Sequence, residues 1–116
     1  MQDQAAIDLY REICEAAPAI PRFFQLTADQ FQGWYQLGEH LADTGLLPRI
    51  ATEEIPMSKG QRMLCLTLVA KADYAHVAAQ AEPNVWGPAG FWSMDSINGR
   101  LALRVIAQGV WDQGGA

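Results

Sequence analysis

The sequence predicts an α+β fold: two N-terminal helices followed by ββ(α)ββ, the helices packed against an antiparallel sheet of about four strands. Three observations predict it. Apolar residues up to Ala42 recur at helical spacing between recognisable end signals, residues 62–71 are apolar on both alternating faces, and Asn98-Gly99 joins two alternating runs.

The first helix is read over residues 4–17. Ala6, Leu9, Tyr10, Ile13 and Ala17 make one stripe, with Asp8, Arg11, Glu12 and Glu15 mostly opposite. Pro18 ends it and Pro21 is expected to keep the connection non-helical. In the second helix, Thr27-Ala28-Asp29-Gln30 reads as a capping box, with Leu26 and Phe31 as the hydrophobic staple. Phe31, Trp34, Tyr35, Gly38, Leu41 and Ala42 follow with a period near 3.6. Gly45 suits the left-handed residue past the helix end, and Leu46 can close a Schellman contact onto Leu41. Pro48 prevents continuation.

Strands are expected next. Residues 50–57 carry Glu53, Glu54 and Pro56, as a protected edge strand would. Ser58-Lys59-Gly60-Gln61 reads as a turn, and residues 62–71 (RMLCLTLVAK) as a strand at the sheet centre, buried on both sides. Asp73 can cap a short helix through about Ala81. Residues 82–92 form a Pro/Gly loop bearing Trp86, Phe91 and Trp92. A hairpin centred on Asn98-Gly99 pairs Ile97 with Arg100 and, further out, Trp92 with Val105. That register puts Trp92, Met94, Leu101, Leu103 and Val105 on one face, and Ser93, Asp95, Arg100 and Arg104 on the other.

One domain over residues 1–116 is expected, because folding can bury about two-thirds of the chain's surface. Half of the residues are hydrophobic and 18% are charged, which argues against disorder. No apolar run is long enough to span a bilayer, and Met1-Gln2-Asp3-Gln4 lacks the start of a signal peptide. Two cysteines far apart suggest free thiols in a reducing compartment, so a cytoplasmic location is expected. The net charge of −5 is uneven: residues 1–54 hold nine acids against Arg11, Arg22 and Arg49, and residues 55–116 are close to neutral. The bases are scattered, which disfavours direct nucleic-acid binding and anionic membranes. An acidic half suits a basic protein partner, although solvated acidic helices also simply keep a protein in solution.

Catalytic spacing is not found. Cys14, His40, Cys65 and His76 fall on different elements without metal-binding spacing, and no cofactor is expected. Cys65 lies in an apolar run that silences a thiol, and Cys14 sits on a helix body. Glu53 and Glu54 would point to opposite strand faces, whereas Glu39 and Asp43 share a helix face toward solvent. Trp86 belongs to no periodicity, so it either caps the core or contacts a partner.

The leading expectation is a non-enzymatic interaction protein, an inhibitor or adaptor. It would dock through Asp8, Glu12, Glu15, Glu39, Asp43 and Trp86 on a larger protein or ribonucleoprotein complex with a basic surface. In size and acidity alone the chain is similar to small acidic proteins that phages and mobile elements use against host machinery, anti-CRISPR proteins among them, and no residue motif carries that likeness. Two alternatives stand beside it. One is a small enzyme or ligand-binding domain with Tyr35, His40, Tyr74, His76 and Trp86 lining a pocket between helices and sheet. The other is a structural subunit or homodimer joined through sheet edges and Trp111.

Overall fold

The computed structural model describes residues 4–52, 55–74, 77–78 and 96–114. Of the described residues 77% are helical and none lies in a strand, so the expected α+β sheet is replaced by helices. The elements are α1 (Gln4–Ala16), α2 (Ala19–Phe24), α3 (Trp34–Asp43), α4 (Leu47–Ala51), α5 (Lys59–Val69) and α6 (Ser96–Gly114). A π-helical turn, Ala70–Tyr74, continues α5.

The N-terminal half keeps most of its expected logic. In α1, Ala6, Ile7, Leu9, Tyr10 and Ile13 are buried. Pro18 ends it, but α2 then starts at once and contains Pro21, corrected here from a connector to a first-turn residue. A proline costs little there, because a first-turn amide has no intrahelical acceptor. At Thr27 only one turn forms: its amide donates to Gln30 Oε1 at 2.9 Å, and the Gln30 and Phe31 amides donate back to its carbonyl. The helix proper begins at Trp34, because Phe31 is drawn off the helical path onto Tyr10. Their rings stack at 4.3 Å, and Trp34 meets Phe31 edge-on at 5.0 Å. The exit of α3 is a Schellman motif: Leu46 donates to the Leu41 carbonyl, Gly45 donates to that of Ala42, and Gly45 has φ +71°.

Residues 50–57 are not an edge strand. Leu47-Pro48 opens the short α4, with Pro48 in its first turn, and Ile50 is buried. Glu53 and Glu54 lie outside the described residues. The expected central strand 62–71 is helical too. An apolar run of this length fits a buried strand or a buried helix equally well by periodicity, and its flanks decide. Ser58 Oγ accepts from the Gln61 amide at 3.4 Å, so the segment read as a turn is the N-cap of α5. The run itself is mostly Met, Leu, Arg and Lys, which favour helix, with one Thr and one Val. Met63 through Val69 are all buried. Leu64, Leu66 and Leu68 alone contribute on the order of 5–9 kcal/mol by burial, comparable with the net stability of a small domain.

The hairpin is also corrected. Asn98 and Gly99 lie in the first turn of α6, and the buried positions Asn98, Leu101, Ala102 and Val105 follow a helical i, i+3, i+4, i+7 pattern. Leu103, which a strand would align with Leu101 and Val105, is 57% exposed, and Ile97 is 61% exposed. Asp95, the expected neighbour of Arg100 and Arg104, lies outside the described residues, as do residues 79–94 with the aromatic loop and Trp86. Asp73 sits in the π-helical turn, and of the helix expected beyond it only residues 77–78 are described, as helical. Trp111 falls on α6, not beside a sheet edge.

Packing follows from these faces. α5 packs against α6, α2 and the π-helical turn, α1 against α2 and α6, and α3 against the π-helical turn. Gln108 ties three helices, accepting from Trp34 Nε1 at 3.1 Å and donating to the Ala5 carbonyl at 3.1 Å. Gly38 sets how closely α3 approaches the π-helical turn: a Cβ there would stand 2.5 Å from the Ala72 carbonyl oxygen.

Two glycines therefore respond oppositely to alanine. Gly38→Ala is expected to lower stability by about 1–3 kcal/mol through backbone displacement. Gly99→Ala, with nothing within 4 Å of the added Cβ, is expected to raise stability by about 0.5–1 kcal/mol, because alanine favours helix. Urea unfolding measures both. A destabilising Gly99→Ala would instead fit a turn with positive φ at that position.

Candidate functional site

The surface with the most distinctive chemistry lies along α3. Tyr35, Glu39, Ala42 and Asp43 follow one another on its outer side, where helical spacing brings i, i+4 and i+8 together. With Gly38, Ala72 and Tyr74 they line a cleft of about 310 Å³. The Gly38 approach makes its floor, because only a residue without a side chain lets the π-helical turn come so near. Tyr35 is 81% exposed, the largest exposure among the big apolar side chains described. Neither Glu39 nor Asp43 has an ion-pair partner among the described residues.

The acids of α1 are held differently. Asp8 accepts from Gln4 Nε2 at 2.9 Å, and Glu12 accepts both terminal nitrogens of Arg104, at 3.0 and 2.6 Å. That fork keeps the Glu12 carboxyl below its ordinary range, first through the hydrogen bond and then through the guanidinium charge. Arg11 reaches Asp29 at 3.4 Å on the exposed surface, a pair of little energetic weight. Glu15 is exposed. Of the five acids expected to act together, only Glu12 has an ion-pair partner among the described residues, and Asp8, Glu15, Glu39 and Asp43 have none. Trp86, the sixth expected contact, lies outside the described residues.

Of the residues expected to line a pocket, Tyr35 and Tyr74 do meet at the α3 cleft. His40 does not join them. Its Nε2 donates to the Phe24 carbonyl at 2.7 Å, satisfying a carbonyl at the end of α2. His76 lies outside the described residues. Among the described residues no group of three or more His, Cys, Asp or Glu could hold a metal ion, and no helix is long and apolar enough to cross a membrane.

Both cysteines are free thiols. Burial pushes Cys14 up to about 11 and Cys65, fully enclosed in α5, higher still. Burial also raises the Tyr10 phenol, followed by the charge of Cys14 that it faces, and its hydroxyl donates to the Leu26 carbonyl at 2.8 Å. Sequence reasoning missed the roles of Arg104, Gln108 and Tyr10. The Glu12–Arg104 pair spans 92 residues, and no local pattern reports a partner at that separation. Comparison of the chain with family models, with curated proteins and with solved structures finds no match.

Cys14, Cys65 and Tyr10 together set an alkaline limit. Each has a raised pKa when folded, whereas the unfolded chain titrates near about 8.5 for Cys and about 10 for Tyr. The stability they contribute is fully present below those unfolded values and is lost as pH rises toward the folded ones. Urea midpoints are therefore expected to hold to about pH 8 and then fall, each group adding up to about 1.4 kcal/mol per pH unit. Cys65→Ala lowers the plateau and makes the decline shallower. An unchanged slope in that variant would remove Cys65 from the effect.

Proposed function

We propose that this chain is a non-enzymatic interaction protein that docks on a basic surface of a larger protein or ribonucleoprotein partner, using the α3 face as its principal contact. The observation that carries the reading is Tyr35, 81% exposed, beside two carboxylates that have no ion-pair partner among the described residues and border a cleft also lined by Tyr74. An exposed tyrosine supplies rigid contact area at small entropic cost, and aromatic faces and carboxylates both attract a lysine or arginine side chain. Glu12, already paired with Arg104, has less to offer an incoming cation, so α1 contributes mainly Asp8 and Glu15 to a surrounding acidic field. The mechanism is occlusion, with the partner's basic groups covered and withheld from an anionic ligand such as nucleic acid.

The test is affinity capture with quantitative mass spectrometry over a salt series, comparing the native chain with Tyr35→Ala and with Glu39→Gln/Asp43→Asn. A basic partner is expected to be retained at low salt, released as salt rises, and lost from both variants. Tyr35→Ala is expected to cost about 2 kcal/mol or more in binding while leaving the thermal midpoint unchanged, because its ring is solvated. A partner retained equally by both variants would overturn the assignment of this face.

A further inference from the structure

Away from α3, two clefts meet along α2. The larger, about 600 Å³, is lined by Cys14 of α1, Pro18, Pro21, and Leu26 and Ala28 of the turn that follows α2. The smaller, about 320 Å³, is lined by Ala19, Phe23, Arg49 and Pro56. Arg22 and Gln25 line both, so the two clefts adjoin across these side chains. The guanidinium of Arg49 stands 5.3 Å from the centre of the Phe23 ring, which fixes its charge at the wall of the smaller cleft.

What sets Arg22 and Arg49 apart is that two guanidiniums line one cleft. Neither has a carboxylate partner among the described residues, as is also true of Arg62 and Arg100, on a chain whose net charge is −5. They are not part of a general basic field. Both line the smaller cleft, and Arg22 also borders the larger groove, whose walls are Pro18, Pro21, Leu26 and Ala28 with Thr27 and Gln30. The larger volume is within the roughly 300–1,000 Å³ of small-molecule sites, and guanidinium groups match carboxylates in a two-point fork.

We propose that this groove binds a single-chain amphiphilic anion, an aliphatic carboxylate in its simplest form. The chain lies against Pro18, Pro21 and Leu26, and the head group reaches Arg22 and Arg49. Charge complementarity selects the head, because a neutral hydroxyl accepts only an uncharged hydrogen bond from a guanidinium and a cationic head is repelled. Bound ligand covers the Cys14 thiol, which provides a built-in reporter, since Cys65 is completely buried. The site is separate from the α3 face, so either can fail without the other.

The test titrates sodium dodecanoate, kept below its micelle concentration, into the full chain. Amide spectra and the rate of Cys14 alkylation by N-ethylmaleimide are followed. Saturable shifts around residues 18–30 are expected, with alkylation slowed about tenfold at a ligand concentration near ten times the dissociation constant. Dodecanol and dodecyltrimethylammonium are expected to bind at least about tenfold more weakly. Arg22→Gln/Arg49→Gln should reduce dodecanoate to the level of dodecanol. Ala28→Trp, which fills the groove, should abolish binding and slow Cys14 alkylation without ligand, so the groove is tested even if the double variant does not fold. Absence of saturable binding, equal binding of the cationic amphiphile, or unchanged affinity in a folded double variant would overturn the proposal. So would binding to anionic phospholipid vesicles without binding of monomeric dodecanoate, which would assign the cations to a membrane surface.

Discussion

Met63 through Val69 leave no solvent-facing position on the second half of α5, so other elements must cover its circumference. This requirement organises the molecule. α6 and α2 pack on α5, the π-helical turn extends it, and α1 then packs on both α2 and α6. Each covering helix can be amphipathic because α5 is not, as the exposed Ile97, Arg100, Leu103 and Arg104 on α6 show opposite its buried Leu101, Ala102 and Val105. The α3 face depends on the same arrangement at one remove, since the turn that continues α5 is the surface against which Gly38 is pressed.

The parts of the fold legible in the sequence are those fixed by contacts a few residues apart. The stripe of α1, its end at Pro18, and the Gly45–Leu46 closure of α3 all follow from local geometry, and all are observed. The expected strands give way to helices for two physical reasons. Residues 62–71 bury every face, which removes the alternation by which a helix and a strand are told apart, and the decisive signal was the Ser58–Gln61 cap read as a turn. Asn98-Gly99 is a strong hairpin signal where the chain must reverse, but in the first turn of a helix both residues are tolerated. The long α6 face then outweighs the turn preference. At Thr27 only the Gln30 half of the expected capping box forms and it closes a single turn, while α3 begins at Trp34 after Gly33, beyond the stack of Phe31 on Tyr10.

The candidate site was half legible. Glu39 and Asp43 were readable as neighbours on one helix, and Tyr35 and Tyr74 as aromatic lining, but their meeting at one cleft required the tertiary approach at Gly38. What composition could not reveal is how the acids are divided. Arg104 takes Glu12 into a fork that links α6 to α1, so part of the negative charge is cohesive and part faces outward. A count of carboxylates treats the two as equal, although only the second is available to attract a partner.

The helical fold of the described residues stands or falls on α5. Backbone chemical shifts of residues 59–69 in solution test it most directly, because the same residues would shift in opposite directions in a helix and in a strand. The account predicts downfield Cα shifts throughout, with i to i+3 contacts from Lys59 to Val69. Upfield Cα shifts over 62–69, with cross-strand contacts, would contradict it.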